Sequence, residues 1–272
     1  MTHTDYRQAL TEIQQLIDSA HGNTDQFLLA MKAAEIPSLS FSRVSAVEFC
    51  QQRYYLQYIL HLEPFPLPDY FTKGKLLHQV IASSYQRLAQ GLPHDEEESF
   101  NILEGTYCDD NLLHLQNAAR VHLQHLWREV EVEGIEMPFA MLIAEDLPPV
   151  IGAIDLVLRQ NEHFIVIDHK SGRDFYPPDE LQMAIYCEYI RQRYGAASCE
   201  FYYDHYRWVR NLNRIRKPAF QRTAVPLAQD GWQGYVGRIA SAERLMQRIR
   251  ADDRAKRNGQ CFRCPYRRQC HP

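Results

Sequence analysis

The chain has 272 residues, of which 45% are hydrophobic and 24% are charged, a composition typical of a globular protein with one large domain or two small ones. No apolar run approaches the roughly 18 residues that a membrane span requires, and the N-terminus lacks the pattern of a signal peptide. Seven cysteines, an odd number, are typical of a reducing compartment, so we expect a cytoplasmic protein.

The formal net charge of -4 conceals a polarity along the chain. The segment from Arg207 to the end carries 16 lysines and arginines against 4 acidic residues, so the remainder is acidic. A basic segment favours a polyanionic partner such as DNA. Arginines on solvated helix faces would give the same count, and charge alone does not decide between these interpretations.

The predicted elements begin with one or two amphipathic helices, which we interpret as a helical extension covering 1–37. A capping-box pattern at Ser45 predicts a helix that carries Cys50 in its second turn. A further helix is predicted from Gly74, and an acidic helical insert follows over about 90–131.

The hydrophobic period then changes from helical to alternating. Three short runs rich in β-branched and aromatic residues predict an antiparallel meander, over 137–144, 150–158 and 163–170. The remaining predicted elements are a helix, a strand or strand pair, and a largely helical segment, over 178–194, 199–209 and 228–257. Helices flanking a small central sheet give an α/β or α+β architecture.

An acidic–lysine pattern lies on two consecutive predicted strands. Asp155 stands among apolar neighbours, where a carboxylate is costly unless it is paired or bound to a metal. On the next strand, Asp168 and Lys170 project from one face because strand side chains alternate. If the two strands pair, the carboxylates converge into an oxygen site for Mg²⁺ or Mn²⁺. A weak surface ion pair is the alternative interpretation.

Four cysteines predict a second metal centre. Three of them form a C-x2-C-x5-C pattern near the C-terminus, and Cys50 supplies a fourth thiol, so the set is Cys50, Cys261, Cys264 and Cys270. Four thiolates can hold zinc or an iron–sulfur cluster. The x5 spacing and the distant single cysteine favour the cluster, while His271 could serve zinc. We expect the other three thiols, of Cys108, Cys187 and Cys199, to be buried.

These patterns together resemble the PD-(D/E)XK nuclease superfamily, in particular its RecB-like branch with a C-terminal iron–sulfur cluster. That branch includes CRISPR-associated adaptation exonucleases and the AddB nuclease domain. The matching segments occur in the order of that branch: GKLLH (74–78), Glu136 in EMPF, GAID (152–155), DHKSG (168–172), QMAIY (182–186) and the four cysteines. The resemblance leaves only about the first 41 residues uncovered.

The resemblance implies a restriction-endonuclease-like mixed sheet flanked by helices, within a nuclease domain at 38–272 that ends in an iron–sulfur tail at 257–272. It implies that Mg²⁺ or Mn²⁺ is held by His78, Asp155, Asp168 and the backbone carbonyl of His169. It implies that Lys170 positions the attacking water, with auxiliary or substrate-binding roles for Gln182, Tyr186 and Glu136. It also implies a structural [4Fe-4S] cluster on the four cysteines, with zinc as the alternative.

The implied activity is hydrolysis of DNA, in particular exonuclease action on single strands or DNA ends. An integrase or a helicase is a possible partner protein, since the chain lacks a Gly-rich GKS/T loop of its own. A catalytically silent DNA-binding or adaptor subunit is the alternative function. The aromatic run FYYDHYRW (201–208) suits either base stacking or core packing, and we favour the core.

Overall fold

A computed structural model describes residues 6–93, 95–103, 110–177, 179–195, 199–226, 231–258 and 261–270, apart from the side chain of Arg263. Cys108 and His271 lie outside these residues, so the predictions made for them are not addressed below. In the described residues, no helix combines the length and the apolar character needed to cross a bilayer.

The N-terminal part of the chain is helical. Its helices α1 to α4 span Tyr6–Ser19, Thr24–Ala34, Phe41–Phe49 and Gln51–Tyr54. The first two are the predicted amphipathic helices, and each buries an apolar face that includes Ile13 in α1 and Phe27 in α2.

The predicted helix start at Ser45 is wrong. Helix α3 begins after Ser40, whose hydroxyl accepts a hydrogen bond from the Arg43 amide at 3.2 Å. Ser40 has extended backbone and precedes the buried face of Val44 and Val47, so it satisfies both requirements of an N-cap. Ser45 lies one turn inside the helix, where its S-x-x-E pattern has no free amide to cap.

The predicted position of Cys50 in a second helical turn is also wrong. Cys50 lies between α3 and α4 with extended backbone at φ -166° and ψ 120°. Its amide still donates to the Ala46 carbonyl at 3.0 Å. The chain then continues through α4 into a π-helical segment, Tyr55–Ile59. The helical path is therefore interrupted at the cysteine.

The next three helices, α5 to α7, span Asp69–Ala89, Glu96–Asn101 and Asp110–Gln124. Helix α5 starts five residues before the predicted Gly74. Its buried positions include Leu77, Ile81 and Tyr85, which recur at the spacing of one helical face. The helical part of the predicted insert ends at Gln124, and a strand begins at Glu131, where the insert was expected to end.

Five strands form one sheet in the order β1-β2-β3-β4-β5. They span Glu131–Met141, Val150–Gln160, His163–Gly172, Cys199–Arg207 and Phe220–Ala224. Strands β2 and β3 pair antiparallel, β3 and β4 parallel, and β4 and β5 antiparallel. The predicted mixed sheet is therefore confirmed, and 199–209 contributes one strand rather than two.

Helix α8, Glu180–Tyr194, makes the crossover that the parallel pair β3–β4 requires. The Asp179 side chain caps its N-terminus, and Gly195 ends it in the left-handed conformation at φ 61°, as its sequence position predicts. The remaining helices are α9, Trp232–Asp252, and the short α10, Arg267–Cys270.

The chain divides into two compact units. The first comprises 1–68, 138–152 and 228–272, and the second comprises 69–137 and 153–227. A core in the first unit joins α1 and α2 to Ala140 and Ile151. A larger core in the second unit packs α5 and α7 on side chains of β2, β3 and β4. The candidate hydrolytic residues belong to the second unit, and the four cysteines belong to the first.

Candidate functional site

The acidic–lysine pattern forms a contact between neighbouring strands. Asp155 on β2 accepts a hydrogen bond from the backbone amide of His169 on β3, with 2.8 Å between N and Oδ2. Lys170 Nζ lies 2.6 Å from Asp168 Oδ2, and the Asp168 side chain is 1% exposed. A weak surface ion pair does not describe this buried geometry, in which the lysine is only 26% exposed.

Two further residues complete a candidate metal site. His78 on α5 and Glu136 on β1 lie beside Asp155, and one ligand atom from each residue lies within 4.8 Å of the other two. His78 Nδ1 is 3.3 Å from Glu136 Oε1 and 3.8 Å from Asp155 Oδ2. His78 Nε2 lies 3.0 Å from the carbonyl oxygen of His169. The His78 imidazole therefore lies beside both carboxylates and the carbonyl oxygen.

The backbone at Glu136 has an unusual conformation for a strand. Its φ is 46°, in the left-handed region that L residues with side chains rarely adopt. Such a conformation costs on the order of 1–2 kcal/mol and is concentrated at functional sites in folded proteins. The residue therefore departs from the regular strand at the same position where its carboxylate meets His78.

The charges in this site shift one another's pKa values. Burial alone would lower the pKa of His78, but the carboxylates of Asp155 and Glu136 outweigh it and raise that pKa to about 9. Burial, with repulsion from Asp155, raises the pKa of Asp168 to about 6 despite the adjacent Lys170. Burial opposes the charge of Lys170, yet Asp168 and Asp155 raise its pKa. The site thus concentrates negative charge around a protonated imidazole.

A second set of hydrogen bonds holds Asp168 from the side of α8. Gln182 Nε2 donates to Asp168 Oδ1 at 2.8 Å, and the Tyr203 hydroxyl donates to Gln182 Oε1 at 3.0 Å. Gln182 Nε2 also contacts the Tyr186 hydroxyl at 2.8 Å, and that hydroxyl donates to the Ala153 carbonyl at 2.9 Å. Gln182 and Tyr186 share a helical face, as predicted. Gln182 contacts Asp168 directly, and Tyr186 contacts Gln182.

Behind the site lies a buried polar network that the sequence patterns did not indicate. His122 Nδ1 lies 3.0 Å from the Tyr206 hydroxyl, which lies 3.4 Å from His169 Nδ1. Asp204 pairs with Arg222 through two contacts of 2.7 Å each. The network could not be predicted from the sequence, because it depends on the strand register that sets Asp204 beside His169.

The basic C-terminal segment is partly engaged in ion pairs. Arg222 binds the buried Asp204, and Arg250 lies 2.8 Å from the buried Glu243. These two arginines are therefore not available to bind phosphates.

The four cysteines surround one pocket. Its lining includes all four thiol-bearing residues together with Arg53, Arg257 and Arg267. Cys50 is buried and the other three are partly exposed. Arg257 also donates to the Cys270 carbonyl at 2.7 Å, and Cys50 Sγ lies 3.9 Å from the Lys256 carbonyl. Residues separated by some 200 positions in the sequence thus meet around a common space.

Two other sequence expectations can be compared with the structure. Cys187, in the middle of α8, and Cys199, the first residue of β4, are partly exposed rather than buried. In the aromatic run, Phe201, Tyr203 and Tyr206 are at most 3% exposed, which confirms the core interpretation for these three.

Comparison with known proteins gives this arrangement a family. Residues 38–271 match the PD-(D/E)XK nuclease superfamily. The chain belongs to this superfamily. A comparison with curated protein sequences found no match.

Among solved structures, the nuclease chain is similar to the crystal structure of a "Putative exonuclease" from Eubacterium rectale, with a TM-score of 0.56 and 10% sequence identity. The similarity covers 84% of this chain and 87% of the other. A second structure, SSO0001, matches at 17% identity over 83% of this chain and 95% of the other, with a TM-score of only 0.32. At 10% identity the likeness to the first structure supports the fold alone. The TM-score of the second is too low to support a shared fold.

Proposed function

We propose that this nuclease hydrolyses phosphodiester bonds of DNA with Mg²⁺ or Mn²⁺. The observation that carries the proposal is the group His78, Glu136 and Asp155, which lies beside the Asp168–Lys170 pair. Carboxylate oxygens with one imidazole are a donor set that suits Mn²⁺ and Mg²⁺. The His169 carbonyl and Asp168, the other two ligands that the sequence predicts, would complete the set. These residues therefore fit the metal that the superfamily implies.

His78, Glu136 and Asp155 would hold a divalent ion here, which would supply a lowered pKa for bound water and an offset for charge on the scissile phosphate. The chain's own residues set the geometry. Lys170, fixed against Asp168 at 2.6 Å, would orient the attacking water and offset developing negative charge. Gln182 holds the other oxygen of Asp168, so it acts on the reaction through that carboxylate. Tyr186 in turn anchors Gln182 to β2 through the Ala153 carbonyl.

We further propose that Cys50, Cys261, Cys264 and Cys270 hold a [4Fe-4S] cluster. All four line one pocket, and its three arginines would offset the charge of a thiolate-ligated cluster. The C-x2-C-x5-C spacing and the distant single cysteine support the cluster over zinc and, with it, membership of the RecB-like branch.

The proposed substrate is a DNA single strand or a DNA end, and the proposed mode is exonucleolytic. The basic segment from Arg207 onward supports binding to phosphates. An integrase or helicase partner and a cytoplasmic location are also part of this proposal, and any ATP-driven unwinding would come from the partner, since the chain has no Gly-rich GKS/T loop.

The decisive test is a cleavage assay on linear single-stranded, linear duplex and circular DNA with anaerobically purified protein. We expect Mn²⁺-dependent shortening of linear single strands and no cleavage of circles. Lys170→Ala should lose at least about a thousandfold in rate, as expected for loss of oriented general acid–base and electrostatic assistance. Its Mn²⁺-induced thermal shift should persist. Salt-sensitive binding without hydrolysis by the wild type would instead identify a silent DNA-binding or adaptor subunit.

A further inference from the structure

An exposed aromatic ring lies next to the candidate hydrolytic residues. Tyr176 belongs to the loop between β3 and α8 and is 47% exposed. The centroid of its ring lies 4.5 Å from that of His205, with the two planes at 81°. The ring is thus supported by the second unit and still presents much of its surface to solvent.

His205 connects Tyr176 to the hydrolytic residues. In the parallel register of β3 and β4, His205 is the partner of Lys170, just as Tyr203 is the partner of Asp168. Because side chains alternate along strands, these four lie on one face of the sheet. Burial raises the pKa of the Tyr176 hydroxyl, with a smaller contribution from Asp168, while Lys170 lowers it.

The His205 imidazole is itself unusual. It is 2% exposed, and its Nε2 has no hydrogen-bond partner among the described residues. Buried polar atoms are normally satisfied, and an exception at a functional site indicates a missing ligand or water. The pair of Tyr176 and His205 therefore combines an exposed aromatic surface with an unsatisfied polar atom.

We propose that Tyr176, supported by His205, stacks on an unpaired nucleobase adjacent to the phosphate that is cleaved. This inference rests on the proposed nuclease function and adds a specificity-determining residue to it. An aromatic face can bind a base only when the base is not stacked inside a duplex, so the residue selects single strands and frayed ends. The buried aromatic side chains of the run 201–208 are not available for this contact.

The test measures binding, with Ca²⁺ replacing Mn²⁺ so that the strand stays intact. A short single-stranded oligonucleotide is titrated by fluorescence anisotropy against the wild type, Tyr176→Ala and Tyr176→Phe. Tyr176→Ala should weaken binding roughly 5- to 150-fold, the range expected for one stacked base, and Tyr176→Phe should stay within about twofold. Phe65→Ala is the matched control, since Phe65 is also exposed, at 74%, but belongs to the other unit.

An abasic scan then identifies the stacked base. Removing one base at a time should weaken wild-type binding at a single position, and Tyr176→Ala should be insensitive to the loss at that position. An equal penalty in both proteins, or tight binding by Tyr176→Ala, would overturn the proposal, as would failure of the wild type to bind single strands. If the wild type cleaves DNA but Tyr176→Ala binds as tightly as the wild type, the stacking proposal is wrong and the proposed nuclease function stands. If stacking is seen without cleavage, the proposed nuclease function is wrong and the stacking proposal stands.

Discussion

The proton on His78 should compete with the metal ion. In the metal-free site this imidazole lies between Glu136 and Asp155, and their charges raise its pKa to about 9. A metal ligand must be the neutral imidazole, so metal binding has to displace the proton. The metal affinity of the wild-type protein should therefore change when only the pH is varied, between about 6.5 and 8.5.

The raised pKa of His78 sets how strongly its proton weakens metal binding. With a pKa of about 9, roughly 1% of His78 is neutral at pH 7. Metal binding is then about a hundredfold weaker, or ~2.7 kcal/mol, than it would be to a fully neutral imidazole. Each unit of pH below 9 should change the affinity about tenfold. Because the folded pKa is raised above the unfolded value of 6.5, the same proton stabilises the metal-free protein fully below about pH 6.5. That stabilisation is lost as the pH rises through about 9.

Isothermal titration of Mn²⁺ into the metal-free protein measures both quantities. We expect affinity to rise with pH and about one proton to be released per ion near pH 7.5, read from buffers with different ionisation enthalpies. His78→Gln should bind Mn²⁺ more weakly at pH 8.5 and with little dependence on pH. An affinity that is flat from pH 6.5 to 8.5 in the wild type, with no proton release, would show that metal binding displaces no proton from His78.

Three further predictions concern individual contacts. Glu136→Gln should lower the pKa of His78, because one of the two carboxylates that raise it is removed, and should shrink the Mn²⁺-induced rise in melting temperature; an unchanged rise would exclude Glu136 as a ligand. Asp204→Asn should cost about 3 kcal/mol in urea unfolding, since it leaves Arg222 without its buried carboxylate; a loss below about 0.5 kcal/mol would contradict the role assigned to this pair. Cys264→Ser should lose the absorbance near 400 nm and lower the melting temperature; a colourless wild type containing zinc would reject the cluster while leaving the hydrolytic site unaffected.

Sequence patterns located the residues whose relation depends on local geometry. Strand alternation set Asp168 and Lys170 on one face, and helical spacing joined Gln182 to Tyr186. The turn between β2 and β3 was short enough to predict their pairing. In each case the separation in sequence is small, so the backbone period fixes the side-chain geometry.

Features that depend on tertiary contacts were not predictable in the same way. The left-handed backbone at Glu136 has no sequence signature, since glutamate is not a residue that favours positive φ. The S-x-x-E pattern at Ser45 is a valid local cap, but the buried face of α3 requires the helix to begin at Ser40. In the sequence, Asp204 is one polar residue in an aromatic run. Only the register of β3 and β4 shows that it lies beside His169.

The position of the hydrolytic residues in the chain has a consequence for folding. Asp155, Asp168, Lys170 and Gln182 come from one continuous segment of the chain, whereas His78 lies on a helix some 80 residues earlier. Contacts between sequence neighbours form at a lower entropic cost than contacts across long loops. The acidic half of the site should therefore assemble before the imidazole reaches it, and for that interval Lys170 is, among the described residues of the site, the one cation beside the carboxylates. A folding experiment in the presence of divalent ions would then show faster acquisition of the native site, because the ion can occupy the acidic half before the helix docks.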